Sequence, residues 1–335
     1  MLLVRFATLA DTQGIHEVHR SDVKVWHQRL TEEDGSRPRI EAAWQDCSLL
    51  DRWEHGGAWM SPELCAIHLN RLLLQGHIPL VAELNGEIVG ELELIIGDDP
   101  LYGYNANLSV MYVHADYRGQ GVGTLMMQDA LELLGQIGCE TLTTYDPAAA
   151  SFYEKFAMQK ETDYYKIMVA TQRLPAQPIR SRTISLRKLW QTLKDSTLFS
   201  QNLLSGRIVS QTQLLQLLSD EEEPGEYAIN FNLRPIEMSF ILQDGTDKVL
   251  CVLRDRTGIY ETAAVHLWGK KITPEIIAAI IRRAYRMKIS NLAFCVKEED
   301  LPLFDNFTHT AAVAATTVYA YHFQQHEHSG GATAF

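Results

Sequence analysis

The sequence predicts an α/β chain of the α+β kind in two parts, and three features predict it. Asn85-Gly86 stands between two alternating runs, 79–84 and 87–94, which is a strong signal for a β-hairpin. A strand-like run, 107–113, passes through Arg118-Gly119-Gln120-Gly121-Val122-Gly123 into a helix-like run, 124–134. Leu174-Pro175-Ala176-Gln177-Pro178 then interrupts regular structure with two prolines, dividing 335 residues into two lengths ordinary for domains.

The elements follow in order. Met1-Leu2-Leu3-Val4-Arg5-Phe6 reads as a first strand; it lacks the basic region and long apolar run of a secretory signal. Ala10-Asp11-Thr12 opens an N-capped amphipathic helix reaching about Leu30, and 31–78 reads as a longer helical region. The hairpin, the strand 107–113, the glycine turn and its helix come next. A turn at Gly138, a strand 141–145, a short helix 149–156 and a strand 164–170 complete the first part. The second part carries strands at 248–254 and 261–268, a helix 274–288, a strand 291–296 and a short helix ending at Phe307. The acidic run 220–225 reads as a solvated loop, and the polar tail 324–335 as disordered, with His326 and His328 on a frayed end rather than a metal site.

Composition narrows the function. A hydrophobic fraction of 46% supports real cores, and the absence of an apolar stretch of transmembrane length argues against a membrane span. Five cysteines, an odd number without a C-x-x-C pair, read as reduced thiols in the cytoplasm, not a disulfide framework or a zinc site. Residues 1–172 hold 25 acidic and 12 basic residues, whereas 173–335 hold 17 and 18. A nucleic-acid partner, which needs a basic face, is excluded. The negative field of the first part suits a cationic ligand, although acidic surface also serves solubility.

The glycine turn is an anion cradle. A turn from strand into helix aims backbone N–H groups and the positive end of the helix dipole at one point. Two other phosphate loops fail on spacing. A G-x-G-x-x-G fingerprint counted from Gly119 or Gly121 requires glycine where Thr124 or Met126 stands, and a nucleoside-triphosphate loop requires a lysine the turn lacks. What remains is R-x-x-G-x-G after Val113-His114-Ala115-Asp116-Tyr117, followed thirty residues beyond Gly123 by Phe152-Tyr153-Glu154-Lys155-Phe156. These two motifs, in this order, resemble the GNAT superfamily of acyl-CoA N-acyltransferases over roughly residues 1–170.

The resemblance implies a mixed, mostly antiparallel sheet flanked by helices in an acetyltransferase domain, 1–172. It implies acetyl-CoA as co-substrate, with no metal. The pyrophosphate would lie on Gly119, Gln120, Gly121, Val122, Gly123 and Thr124, with Arg118 adding charge. The pantetheine arm would run along Met111, Tyr112 and Val113, and Asp146 and Ser151 would complete the cofactor site. The sequence departs from the family in having Ala157-Met158 where Gly-Phe is usual and Asp146 where Asn is common. Tyr153 is the candidate acid for the departing thiolate, since a phenol stays protonated at neutral pH; core packing is its alternative role. Glu91 and Glu93 share one strand face and are candidate bases, each raising the other's pKa; a solvated sheet face reads equally well. His114 only leads into the loop.

The acceptor pocket is expected within 31–78. Trp26, Trp44, Trp53 and Trp59 lie in or beside it, with Glu41, Asp46, Asp51 and Glu54, a set that suits an ammonium or guanidinium group. The second part, 180–323, reads as a degenerate GNAT-like repeat: Leu142 matches Leu292, Tyr153 matches Phe304, and Gly121-Val122-Gly123 falls against Lys271-Ile272-Thr273. The function implied is acetyl transfer to a primary amine of a small cationic molecule or a peptide. The alternatives are a non-catalytic acyl-CoA sensor and an acyltransferase for a hydroxyl acceptor or a longer chain. A homodimer is compatible with the sequence.

Overall fold

Asn85 and Gly86 both take positive φ, 53° and 92°, the geometry of a two-residue hairpin turn. The computed structural model describes residues 1–30, 38–99, 102–145, 149–176, 178–184, 236–255, 262–269 and 271–324. Asp146, the acidic run 220–225 and the tail beyond Gln324 lie outside these residues.

The first part runs β1 (Leu2–Phe6), α1 (Thr12–Arg20), β2 (Trp26–Arg29), β3 (Arg39–Ala42), α2 (Leu49–Glu54), α3 (Pro62–Leu74), β4 (Ile78–Leu84), β5 (Glu87–Asp99), β6 (Gly103–Val113), α4 (Val122–Gln136), β7 (Thr141–Tyr145), α5 (Ala150–Glu154) and β8 (Gln159–Ala170). The second runs β9 (Arg180–Thr183), β10 (Ile236–Asp244), β11 (Asp247–Asp255), β12 (Thr262–Gly269), α6 (Pro274–Arg286), β13 (Asn291–Lys297) and β14 (Val313–His322).

Two expectations are corrected. The helix expected to reach Leu30 ends at Arg20, and Trp26–Arg29 instead pairs antiparallel with Arg39–Ala42. The region 31–78 is therefore not helical throughout: a small hairpin precedes α2 and α3. Ser48 caps α2 and Ser61 caps α3 through their side chains, which sets where each helix starts.

Among the described residues, one twelve-stranded sheet has the order β1-β4-β5-β6-β7-β14-β8-β13-β12-β11-β10-β9. Neighbours are antiparallel except β6–β7 and β12–β13. The order reads alike from both ends: five strands of one half, the last strand of the other half, then the half's own last strand. That is the topology of a repeat whose halves have exchanged final strands, with one sheet running unbroken through both halves. The cores confirm the exchange. Tyr319 of β14 is buried with Leu92, Met126 and Tyr153 in the first core, while Ile167 and Val169 of β8 are buried with Phe240, Ile277 and Phe294 in the second.

Candidate functional site

Alternation along β5 separates two chemistries. Leu92 and Leu94 face α4 and join the first core, so Glu91 and Glu93 face the opposite side, towards α1 and α3. Both glutamates are buried, at 1% and 2% exposure. His19 of α1 hydrogen-bonds Glu91 through Nε2 and is stacked between the rings of Trp59 and Tyr112, with centroids 5.1 and 4.5 Å away. Glu93 Oε1 accepts from the Trp59 indole at 3.0 Å and from His68 Nε2 at 2.9 Å. Arg71 donates to Nδ1 of His68 at 3.2 Å, which leaves the Nε2 proton of that imidazole for Glu93.

The two carboxylates are driven apart. Burial pushes Glu91 well above the usual carboxylate range, and the charge of Glu93 adds to the effect. Burial acts on Glu93 too, but the interactions with His68 and the indole N–H outweigh it and hold Glu93 below its ordinary value. Burial lowers the His19 imidazole to about 4. The surroundings therefore favour the acid form at Glu91 and the carboxylate form at Glu93.

A bulge links this buried pair to open space. Between Glu93 and Leu94 the β5–β6 register shifts, and Ser109 is the unpaired residue. Ser109 is exposed, yet its hydroxyl points to Glu93 Oε2 at 3.4 Å. Immediately before the bulge, β6 parts from β7: their last pair is Leu108 with Thr144. Among the described residues, 110–113 are therefore paired only to β5, which leaves a wedge beside β6 where β7 no longer accompanies it.

The glycine turn closes the far end of the wedge. Gly119 and Gly121 have φ of 74° and 86°, and Gly121 is the N-cap of α4. The first α4 hydrogen bond returns from Leu125 N–H to Gly121, so the N–H groups of Val122, Gly123 and Thr124 have no partner within the helix. A Cβ on Gly119 or Gly121 would meet no protein atom within 4 Å, whereas one on Gly123 would lie 3.6 Å from Val113 and 3.7 Å from Phe152. The loop thus presents free donors to vacant space, and β6, α4 and α5 converge at Gly123. The residues fit a diphosphate.

The remaining expected residues are placed as follows. Tyr153 is buried in the first core, its hydroxyl without a hydrogen bond among the described residues, and burial raises its phenol. Ser151 is exposed at the start of α5, and Met111 and Val113 are half-buried against the α4 side. Tyr112 faces the other side, donating its hydroxyl to Asp22 at 2.6 Å. The guanidinium of Arg118 clamps both oxygens of Asp22 and donates to Val113 O at 2.9 Å, so its charge is paired with Asp22 beside the loop.

Several residues of the expected acceptor pocket are engaged with one another. Asp51 accepts hydrogen bonds from Ser48 and from the Arg29 backbone, Glu54 pairs with Arg29 and Arg39, and Arg52 covers the Trp44 ring at 3.8 Å. Those groups hold the helices and small hairpin together. Sequence reasoning missed Ser109, His19 and His68. One signal was available: six of the twelve histidines fall between residues 16 and 77.

In the second half the corresponding helix start is closed. Thr273 caps α6 by accepting from Ile276 N–H, and Pro274 removes a donor. The helix starts place Thr273 against Gly121, two residues from the match obtained by counting back from the leucines.

Residues 38–158 match the model of the acetyltransferase (GNAT) family. That stretch of the chain is thus similar to GNAT acetyltransferases, a likeness that supports acyl transfer in general. An uncharacterized N-acetyltransferase, ycf52, of Porphyra purpurea is 33% identical over 67 residues, 20% of this chain and 38% of the relative. That of Pyropia yezoensis is 31% identical over the same share. The match thus spans well under half of either relative. Among solved structures, a GCN5-related N-acetyltransferase from Kribbella flavida has a TM-score of 0.58 at 14% identity, covering 96% of this chain and 70% of that one. One from Anabaena variabilis has a TM-score of 0.58 at 12% identity, covering 96% and 72%. At such identities the likeness is one of fold, and it extends over both halves. No helix among the described residues is long and apolar enough to cross a membrane, and no metal-ligand cluster occurs among them.

Proposed function

We propose that the first half is an acetyl-CoA-dependent N-acetyltransferase acting on a primary amine of a small cationic molecule or a peptide, by direct attack within a ternary complex. The observation that carries this reading is the wedge between β6 and β7, bounded by free backbone donors at the glycine turn and by Ser109, the exposed link to buried Glu93.

The N–H groups of residues 119–124 hold the pyrophosphate, and the unpaired edge of β6 at 111–113 receives the pantetheine arm. Ser109 takes the proton of the attacking amine, directly or through one water, and passes its own to Glu93. Glu93 is suited to this because its surroundings favour the carboxylate, whereas those of Glu91 favour the acid. The nitrogen lone pair forms the C–N bond and the C–S bond breaks. Tyr153, kept protonated by burial, delivers its proton to the departing thiolate. Exchange with solvent resets both groups. Five buried, unbridged cysteines support a reducing compartment, the cytoplasm.

The test is thiol release from acetyl-CoA across a panel of amines, with alcohols and a longer acyl-CoA alongside. Amine-dependent release with acetyl-CoA preferred is the expected result. Release with alcohols only, or binding of acetyl-CoA without release on any acceptor, would overturn the proposal.

A further inference from the structure

A cavity of about 660 Å³ lies where the two halves meet. Tyr102, from the turn joining β5 and β6, lines one side. Glu161 and Tyr164 come from the exchanged strand β8, and Lys297, Glu298 and Glu299 from the end of β13. Asp163, also in the lining, is already engaged with Lys160 at 2.6 Å and Thr317 at 2.8 Å. Glu161, Glu298 and Glu299 are exposed and make no ion pair among the described residues. Carboxylates alone would be solvated surface. Tyr164 adds a separate observation: it is 2% exposed, lines the cavity, and its phenol has no hydrogen bond among the described residues. A nearly buried hydroxyl without a partner is a group expected to meet a ligand or an ordered water.

The cavity adjoins the wedge. Tyr164 packs in one buried cluster with Cys295, Val318 and Tyr145, and Tyr145 is the last residue of β7, beside the opening between β6 and β7. One strand, β14, separates β7 from β8, so the cavity floor stands about 10 Å from β7 across the sheet. The reacting nitrogen of an amine acceptor must be unprotonated when it attacks. Carboxylates beside the path therefore cannot recognise that nitrogen by its charge; they recognise a second cationic group on the same molecule.

We infer that the cavity between the halves seats the distal ammonium group of the acceptor, so that the substrate class is a diamine or polyamine with nitrogens about 10 Å apart. This rests on the reading of the first half as an amine acetyltransferase. It also gives the second half a role: its β13 end supplies two of the three free carboxylates.

The probe is octamethylenediamine, titrated calorimetrically into the intact chain saturated with CoA, with octylamine and trimethylenediamine as controls. The long diamine is expected to bind tenfold or more tightly than either control. The combined variant Glu161→Gln, Glu298→Gln, Glu299→Gln should erase that margin, and Tyr164→Phe should narrow it. All three glutamates are exposed, so the variant is expected to fold. Equal binding of the long diamine and octylamine, no binding of either, or a margin that survives the triple variant would overturn the inference. Thiol release with the same amines separates it from the function beneath it. A diamine that binds with the margin yet releases no thiol leaves the cavity assignment standing and refutes the acetyltransferase. Release with octylamine as fast as with the diamine does the reverse.

Discussion

Val318 stands opposite Tyr145 across the β7–β14 ladder, 173 positions away in sequence. Through that pairing the final strand of the chain covers the edge of the strand that leads into α5 and Tyr153. One residue further along, Tyr319 enters the core that holds Tyr153. A chain ending at residue 172 would expose the β7 edge and lose that packing, and an exposed edge is a site of aggregation. Such a truncation is expected to be insoluble or to lose its cooperative thermal transition. A soluble 1–172 fragment that unfolds cooperatively and binds acetyl-CoA like the full chain would refute the exchange.

Gly121 tests the cradle. Its φ of 86° strains any other residue, while its would-be Cβ meets open space. Gly121→Ala should therefore cost on the order of 1 kcal/mol in stability, and Gly121→Val should in addition abolish acetyl-CoA binding by filling the diphosphate position. Calorimetry should find one acetyl-CoA site on the parent chain, because Thr273 caps the corresponding helix in the second half. Two equivalent sites, or undiminished binding by Gly121→Val, would contradict the assignment.

Ser109 tests the proton route. Ser109→Ala removes the hydroxyl between Glu93 and the wedge while leaving the Trp59 and His68 donors to Glu93 in place. It is expected to lower kcat by about tenfold to a hundredfold at little change in the KM for acetyl-CoA. Glu93→Gln should lower kcat further and also destabilise the fold, since the Trp59 and His68 N–H groups lose their charged acceptor. Parental turnover by Ser109→Ala across the pH range would remove Ser109 from the mechanism.

His77 sets a pH limit on stability. Its Nδ1 accepts the Ile96 N–H at 3.2 Å, and burial lowers the imidazole from 6.5 to about 4. The unfolded chain takes up this proton first, so the stabilisation is complete above pH 6.5 and is lost as pH falls towards 4. His77→Asn should lower Tm at pH 7 and flatten its fall between pH 6.5 and 4. An unchanged slope in that window would show that other groups govern acid unfolding.

Local signals were legible and long-range ones were not. The hairpin at Asn85-Gly86, the strand 141–145 and the start of α4 at the glycine turn follow from residues adjacent in sequence, and the structure has them where they were expected. Trp26–Arg29 was absorbed into a helix because its strand character depends on pairing with Arg39–Ala42. Nothing within residues 313–322 names β7 and β8 as partners, so the strand exchange was invisible. Glu91 and Glu93 were legible as a pair from the strand period. Which one ionises was not, because that depends on His19, His68 and Trp59 brought from α1, α3 and the turn between α2 and α3. Ser109 lay inside an apparently continuous strand, and a bulge leaves no mark in such a run.

Tyr153→Phe, compared with the parent chain in amine-dependent thiol release from acetyl-CoA, tests the central claim most directly. Aromatic packing against Phe152 is retained and only the phenolic proton is removed. The account predicts release in the parent, a loss of about a hundredfold in kcat for the variant, and nearly the same acetyl-CoA affinity in both. Equal turnover by Tyr153→Phe across the pH range would contradict it, leaving Tyr153 a packing residue and thiolate protonation to water.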